Sequence, residues 1–167
     1  MKIKRLSLCA LFTAAIAVSA QIIIPTPLGV PLSAVTLMIF IICFVCPELS
    51  FSSVCVYLLC GVAGLGVFSG FTGGLGIILS PVGGYLIGYI PMSLLCSVNC
   101  TSGLTRALLC ILGIASCHLM GFITYLIYLP ANALPGVLFF LFILVKDLIF
   151  CAAAKLMGKS ITKALKL

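Results

Sequence analysis

The sequence has very few charged residues. They make up 7% of its 167 residues, only two of them are acidic, and the chain contains no tryptophan and a single histidine, whereas 64% of the residues are apolar. This composition excludes a soluble domain, which could not cover its surface with so little charge, and predicts an integral membrane protein. A net charge of +7 would suggest nucleic acid as a partner of a soluble chain, but the positions of the basic residues argue against that here.

The basic residues lie mainly near the two ends of the chain. Three precede the first apolar run and four follow the last one: Lys2, Lys4, Arg5, Lys155, Lys159, Lys163 and Lys166. Under the positive-inside rule, this pattern predicts that both termini are cytoplasmic, which requires an even number of spans. We therefore expect a multi-pass protein of the cytoplasmic membrane, with membrane lipid and no nucleic acid as its surroundings.

Sequence motifs of catalysis and metal binding are missing. The chain has no phosphate-binding loop, nucleophile elbow or metal-ligand cluster, so we predict no enzyme, no cofactor and no ATP hydrolysis by the chain itself. Its ten cysteines all lie within or at the edges of apolar segments, where cysteine behaves as a small apolar residue. The one CxxC pattern, Cys43 and Cys46, has no flanking histidine or second pair, and neither a disulfide nor a zinc site is expected.

The N-terminal segment has features of a cleavable signal peptide, because it begins with basic residues and ends in Val18-Ser19-Ala20. However, the apolar run continues through Gln21 to Ile24, and its removal would leave an odd number of spans. We therefore predict that the segment is retained as the first span.

Apolar runs divide the chain into six predicted spans of a single membrane domain, residues 1–167. The spans cover about residues 6–24, 33–46, 51–67, 81–98, 104–128 and 137–157. On this all-α topology, eight of the nine basic residues are cytoplasmic and the three outer loops contain none. Some runs are shorter than the roughly 20 residues of a membrane helix, which tilt or loop residues at membrane depth would reconcile.

A glycine-rich stretch between residues 57 and 89 departs from the pattern of ordinary spans. It reads YLLCGVAGLGVFSGFTGGLGIILSPVGGYLIGY. Irregular backbone at membrane depth persists only when protein shields it or when it lines a cavity, so the stretch predicts a cavity. Glycine lets the main chain approach a ligand closely, and Pro81 favours the start of a helix whose first amide groups face something polar.

The same stretch closely resembles the signature region of biotin-transporter S components, the substrate-binding membrane subunits of energy-coupling-factor (ECF) vitamin importers. Glycine, proline and tyrosine occur at the same offsets as in that family. Two positions differ, since Gly66 stands where the family usually has proline and Val82 where it usually has threonine. Outside residues 57–89 the resemblance is weaker but extends along the chain.

The resemblance implies a six-helix bundle like that of ECF S components, which binds biotin from the outer face and delivers it inward. The glycine-rich outer loop would act as a lid over the pocket. The partners implied are an ECF transmembrane coupling subunit and its ATPases; action alone as a facilitator is the alternative if no coupling subunit is present. In the family, an AxxxA pattern in the first helix docks on the coupling subunit, and Ala10 and Ala14 match it; small residues at this spacing also suit packing within the chain's own bundle.

Two adjacent charges, Lys146 and Asp147, lie inside the last predicted span. Charges at this depth are costly, so they indicate a functional site that faces a cavity. Adjacent helical positions are about 100 degrees apart, which lets both side chains line one cavity without forming an ideal pair. The structural alternative is a neutralised pair, or a lysine that reaches toward one membrane surface.

The resemblance assigns a ligand role to these charges. The family's last helix carries a DxxK motif that faces the ligand, and Asp147 matches its aspartate, but Phe150 stands where the lysine is expected. Asp147 would accept the ureido N–H groups of biotin, and Lys146 would neutralise an anionic group. Either Lys146 takes over the role of the missing lysine, or the specificity or affinity has changed.

Four further residues are candidate substrate contacts. Tyr85 offers a ring as a wall and a hydroxyl as a hydrogen-bond partner; Ser80 and Gly84 are weaker candidates for the same wall. Asn132 could reach the cavity mouth, although asparagine beside prolines is typical of turns. His118, the single histidine, is predicted to be a hydrogen-bonded residue of the bundle and not a ligand contact.

Two alternative functions remain open from the sequence. An S component for another small vitamin is favoured by Phe150 and by Val35, which replaces a polar family residue and leaves Ser33 and Thr36 as possible cavity hydroxyls. These hydroxyls can also bond to their own helix. A non-transporting membrane scaffold, in which the glycines serve only tight helix packing, is the other alternative.

Overall fold

The computed structural model describes residues 2–26, 31–98, 102–129 and 133–165. Helices dominate this part of the chain, and a hairpin of two short antiparallel strands lies between the first two helices. The elements in order are α1 (Lys2–Ala20), β1 (Ile23–Ile24), β2 (Leu32–Ser33), α2 (Val35–Val45), α3 (Pro47–Val62), α4 (Leu75–Ile78), α5 (Gly83–Cys96), α6 (Gly103–Tyr128) and α7 (Ala133–Leu165).

Six of the helices are apolar and form the bundle. Three are long and apolar enough to cross a membrane, within Ile3–Ala20, Gly103–Tyr128 and Gly136–Lys163, and the other three are shorter. The all-α fold class is confirmed, and each predicted span corresponds to one of these helices. The sequence predicted a first span that continues to Ile24. In the structure α1 ends at Ala20 and Ile23–Ile24 form a strand, so the apolar run after Ala20 is not helical.

Side-chain contacts fix the direction of each helix. Thr36 of α2 bonds Asp147 of α7, and Phe44 of α2 packs against Gly158 further along α7, so these two helices run parallel. On the other side of the bundle, Arg5 of α1 pairs with Glu48 at the start of α3. Short connections place the ends of α1 and α6 where α2 and α7 begin. Gly84 of α5 lies against Met120 of α6, and Gly113 of α6 lies against Met92 of α5, so these two helices are antiparallel and α5 begins at the end where α6 finishes.

The bundle therefore has two unlike ends. The basic end is defined by the starts of α1, α3 and α6 and the last residues of α7. It carries the charged side chains that the structure describes, other than Lys146 and Asp147: Lys4, Arg5, Glu48, Arg106, Lys155 and Lys163. The opposite end, the cavity end, consists of the β1–β2 hairpin, the loop after α3 and the first turns of α2, α5 and α7.

Glycines bring α5 and α6 into close contact. A Cβ atom at Gly84 would collide with the carbonyl oxygen of Met120, and one at Gly88 would lie 2.8 Å from the Cα atom of Cys117. Small residues four apart allow this approach of two helix backbones in lipid. Part of the glycine content of the signature stretch thus serves helix packing.

The loop after α3, residues 63–74, is here called the glycine loop. Left-handed backbone at Gly64 (φ 95°), which L side chains rarely adopt, follows the end of α3 at Val62, whereas the sequence predicted a span as far as residue 67. Phe68 folds back into the bundle, where its ring lies over Gly61 and meets the ring of Tyr57 edge-on at 5.5 Å. The loop then leads into α4, a short helix that the sequence did not predict.

Gln21 clamps the glycine loop from the end of α1. Its Nε2 donates to the carbonyl oxygen of Phe68 at 3.1 Å, and its Oε1 accepts the backbone N–H of Phe71 at 2.9 Å. Phe71 has a φ of 57°, which is unfavourable for a residue with a side chain. The amide of Gln21 therefore helps to hold a strained turn in place and connects the loop to the first helix.

Candidate ligand-binding site

A cavity of about 250 Å³ lies at the cavity end of the bundle. Its volume is close to the lower limit of small-molecule pockets, roughly 300 Å³. The walls come from β2 and the residue before it, α2, the glycine loop, α4, α5, α6 and α7. The lining residues are Pro31, Leu32, Ser33, Thr36, Phe68, Ser69, Thr72, Ile77, Val82, Tyr85, Leu86, Tyr89, Cys117, His118, Ile143, Lys146 and Asp147.

Four polar side chains from three helices meet in this wall. We call Thr36, His118, Lys146 and Asp147 the polar cluster. The Thr36 hydroxyl donates to Asp147 Oδ1 at 2.7 Å, and the Lys146 ammonium lies 2.8 Å from the same oxygen. The Asp147 side chain is only 1% exposed. Two donors thus hold one oxygen of a buried carboxylate, as a charge in an apolar bundle requires.

Lys146 and Asp147 form a direct ion pair, which corrects the expectation from their adjacent positions. Although their Cα–Cβ bonds diverge, the long lysine chain bends back far enough to reach its neighbour. The ammonium also lies 3.4 Å from the Thr36 hydroxyl and 5.0 Å from the centre of the Phe150 ring, one turn further along α7. Phe150, at the position of the family lysine, therefore supports the ammonium through its aromatic face.

The second oxygen of Asp147 faces His118. His118 Nε2 lies 2.8 Å from Asp147 Oδ2, but the ring is turned so that its N–H does not point at that oxygen. Neither atom, nor His118 Nδ1, has a hydrogen-bond partner among the residues that the structure describes. Buried polar atoms are rarely left without a partner. His118 Nε2 and Asp147 Oδ2 thus lie at ion-pair distance in a geometry that satisfies neither of them.

His118 lies in the cavity wall, whereas the sequence predicted a residue of the bundle interior that is not a ligand contact. Its ring meets the Tyr85 ring at 5.9 Å and the Phe140 ring at 5.8 Å, both edge-on. Room for the Tyr85 ring comes from Gly121, where any Cβ atom would collide with it. A polar side chain within an apolar span was the signal that could have identified His118 as a candidate.

The structure brings three of the predicted substrate contacts to the cavity: Tyr85, Lys146 and Asp147. Ser80 lies outside the lining and donates its hydroxyl to the carbonyl oxygen of Ile77 at 2.7 Å. Gly84 faces α6, as described above. Asn132 lies outside the described residues.

The predicted docking residues Ala10 and Ala14 are both exposed on the surface of α1. Cys9, which precedes Ala10, and Thr13, which precedes Ala14, are buried against the bundle. The Thr13 hydroxyl donates to the carbonyl oxygen of Ser53. The two alanines therefore lie on a side of α1 that the described part of the chain leaves exposed.

Within the described ranges, no group of three or more histidine, cysteine or acidic side chains is arranged to hold a metal ion. The nine cysteines described there are free thiols.

The fold matches that of a solved membrane protein. The chain superimposes with a TM-score of 0.72 and 23% identity on the crystal structure at 2.1 Å of the S-component for biotin from an ECF-type ABC transporter, covering 99% of this chain and 93% of that one. The chain is thus an all-α protein with the S-component fold.

Sequence relatives identify the family. The BioY family matches residues 1–167, and this chain belongs to it. The probable biotin transporter BioY of Pyrococcus horikoshii is 32% identical over 95% of this chain and 96% of its own length. The biotin transporter BioY of Thermotoga maritima is 40% identical over 48% of this chain and 47% of its own length. The relationship predicted from residues 57–89 is confirmed.

Proposed function

We propose that this protein takes up biotin across the cytoplasmic membrane as the substrate-binding S component of a vitamin importer. The observation that carries the proposal is the polar cluster, which lines a mostly apolar cavity in a member of the BioY family. Small-molecule pockets typically combine apolar walls with a few convergent polar groups.

Biotin has chemical groups that suit this cavity. Its cyclic urea offers two N–H donors, for which Asp147 Oδ2 is an available acceptor. Its thioether ring and aliphatic chain suit the apolar walls, which include the ring of Tyr85 and the side chain of Leu86. Lys146, whose side chain remains 18% exposed, supplies the positive charge that offsets an anionic ligand.

We place the cavity at the outer face of the membrane, with six spans and both termini in the cytoplasm. The basic end of the bundle then lies in the cytoplasm, as the positive-inside rule requires. At 1.5 Å per residue, the 11 residues of α2 cover roughly 16 Å, about half of the hydrocarbon thickness. The β1–β2 hairpin and the glycine loop would occupy the remaining depth beside longer helices, where protein shields their backbone.

Delivery of biotin to the cytoplasm requires that the cavity open inward. We assign energy coupling to an ECF transmembrane subunit and its ATPases, which would dock on the face of α1 that carries Ala10 and Ala14. Their exposure supports this assignment because small side chains permit close approach of a partner helix. The glycine loop, held by Gln21, would act as the lid on the outer side.

Uptake of labelled biotin by cells that lack their own biotin transporter tests the function. We expect saturable uptake when the protein is expressed, with competition by unlabelled biotin and none by thiamine or riboflavin. Expression with and without an ECF coupling module separates coupled transport from action alone. Uptake no higher than in cells with an empty vector in both settings would contradict the proposal.

A further inference from the structure

We propose that His118 determines specificity for the cyclic urea of the ligand, by donating an N–H from Nε2 to the ureido carbonyl oxygen. Asp147 Oδ2 beside it would accept a ureido N–H at the same time. This inference rests on the proposed function, because it assigns one contact within the biotin site.

His118 has the properties of a ligand contact. Its side chain is 2% exposed and lines the cavity, yet both ring nitrogens have no hydrogen-bond partner in the part of the chain that the structure describes. A buried imidazole with no partner loses the hydrogen bonds that it would make in water. A ligand acceptor at Nε2 would restore one of them.

The atoms beside His118 define the shape of the group that fits. Asp147 Oδ2 is an acceptor and His118 Nε2 a donor, and the two lie 2.8 Å apart. In a cyclic urea, an N–H donor and the carbonyl acceptor lie side by side along one edge of the ring. An adjacent acceptor and donor in the wall can therefore bind that edge through two hydrogen bonds, much as a bidentate pair does.

The other members of the polar cluster are already engaged. Thr36 and Lys146 both donate to Asp147 Oδ1, and the Lys146 ammonium also lies over the Phe150 ring. These contacts hold the lysine at the oxygen that faces away from His118. His118 is therefore the donor nearest to the free oxygen of the carboxylate.

Packing restricts the position of the imidazole. The rings of Tyr85 and Phe140 meet it edge-on, with interplanar angles of 70° and 85°. A side chain held in this way keeps its donor in place before the ligand arrives, which favours specificity because less freedom is lost on binding.

A comparison of three ligands with purified protein tests the inference. Biotin and desthiobiotin both contain the cyclic urea, whereas protonated 2-iminobiotin has a guanidinium group that cannot accept a hydrogen bond. We expect His118→Phe, which keeps an aromatic ring, to weaken biotin binding by about 10- to 100-fold. It should reduce the preference for biotin over 2-iminobiotin by a similar factor and leave the preference for biotin over desthiobiotin unchanged.

Two further variants complete the design. His118→Gln places an amide N–H near the position of Nε2 and should restore part of the preference over 2-iminobiotin. Ser116→Ala, on the same helix, removes a hydroxyl that bonds only the backbone of Gly113 among the described residues and should bind all three ligands as the wild type does. Melting followed by circular dichroism confirms that each variant is folded, and His118→Leu replaces His118→Phe if the latter does not fold.

The inference is overturned if a folded variant without the imidazole binds biotin as tightly as the wild type does. It is also overturned if such a variant loses affinity for all three ligands by one common factor, because a structural role would produce that result. A wild-type protein that binds none of the three ligands would contradict the proposed function itself, which is a different outcome.

Discussion

Lys146 and Asp147, neighbours on one helix, form an ion pair of 2.8 Å within the wall of a cavity. The pair leaves one carboxylate oxygen without a hydrogen-bond partner among the described residues, and that oxygen lies beside His118. A buried charge is tolerated when it is paired and hydrogen-bonded, and it becomes a binding group where one of its atoms remains available. This arrangement explains how one carboxylate can be both stable in the bundle and able to recognise a ligand.

Moving the positive charge from residue 146 to residue 150 tests whether Lys146 replaces the family lysine. Lys146→Met should lower biotin affinity by about 10-fold or more, because Asp147 loses its neutralising partner. The double variant Lys146→Met/Phe150→Lys should regain much of this affinity, since a lysine three residues after the aspartate lies on the same helix face. Equilibrium binding of labelled biotin measures both. If the double variant binds no better than Lys146→Met, Lys146 does not replace the family lysine.

Loss of the Gln21 clamp should release biotin faster. Gln21→Leu removes the hydrogen bonds to Phe68 and Phe71, so the glycine loop should open more often. We expect the dissociation rate to rise about tenfold with a smaller change in the association rate. A chase of bound labelled biotin with unlabelled biotin measures the rate. An unchanged dissociation rate would show that the glycine loop does not limit release.

The close packing of α5 against α6 predicts that a larger residue at this interface destabilises the protein. Gly88→Ala should destabilise the protein by about 1–3 kcal/mol, because its Cβ would meet the backbone of Cys117 and force the helices apart. Gly76→Ala is the matched control, since a Cβ there has nothing within 4 Å. Thermal unfolding followed by circular dichroism compares the two. Equal melting temperatures for the two variants would contradict this account of the interface.

The exposed alanines of α1 should matter for transport and not for binding. Ala14→Trp places a large side chain on the proposed docking face, so uptake that depends on an ECF module should fall strongly while the purified protein binds biotin normally. Leu119→Trp, on an exposed position of α6, is the control for a bulky residue on the outer surface. Normal coupled uptake by Ala14→Trp would place the docking surface elsewhere.

The helices and two of the charged residues could be predicted because their signals are local. Apolar runs define spans directly, and Lys146 and Asp147 are conspicuous within such a run. The signature stretch around Tyr85 identified the family. Even so, the sequence could not show that Gly84 faces α6, because glycines for ligand access and glycines for helix packing look alike.

The remaining parts of the site depend on contacts between distant segments. Thr36 meets Asp147 only because α2 and α7 run parallel in a particular register, and His118 joins them from α6. Gln21 holds the glycine loop across nearly fifty positions of sequence. A single sequence does not reveal which faces of the helices meet, so neither the clamp nor the complete polar cluster could be predicted.

The most direct test of the account is equilibrium binding of labelled biotin to the purified wild-type protein and to Asp147→Asn, which keeps the shape of the side chain and removes its charge. Leu148→Ala, the adjacent and more exposed position of α7, is the control. We predict saturable binding of one biotin per wild-type chain, unchanged in Leu148→Ala and weakened about 100-fold in Asp147→Asn. A folded wild type that does not bind biotin, or an Asp147→Asn variant with wild-type affinity, would contradict the central claim.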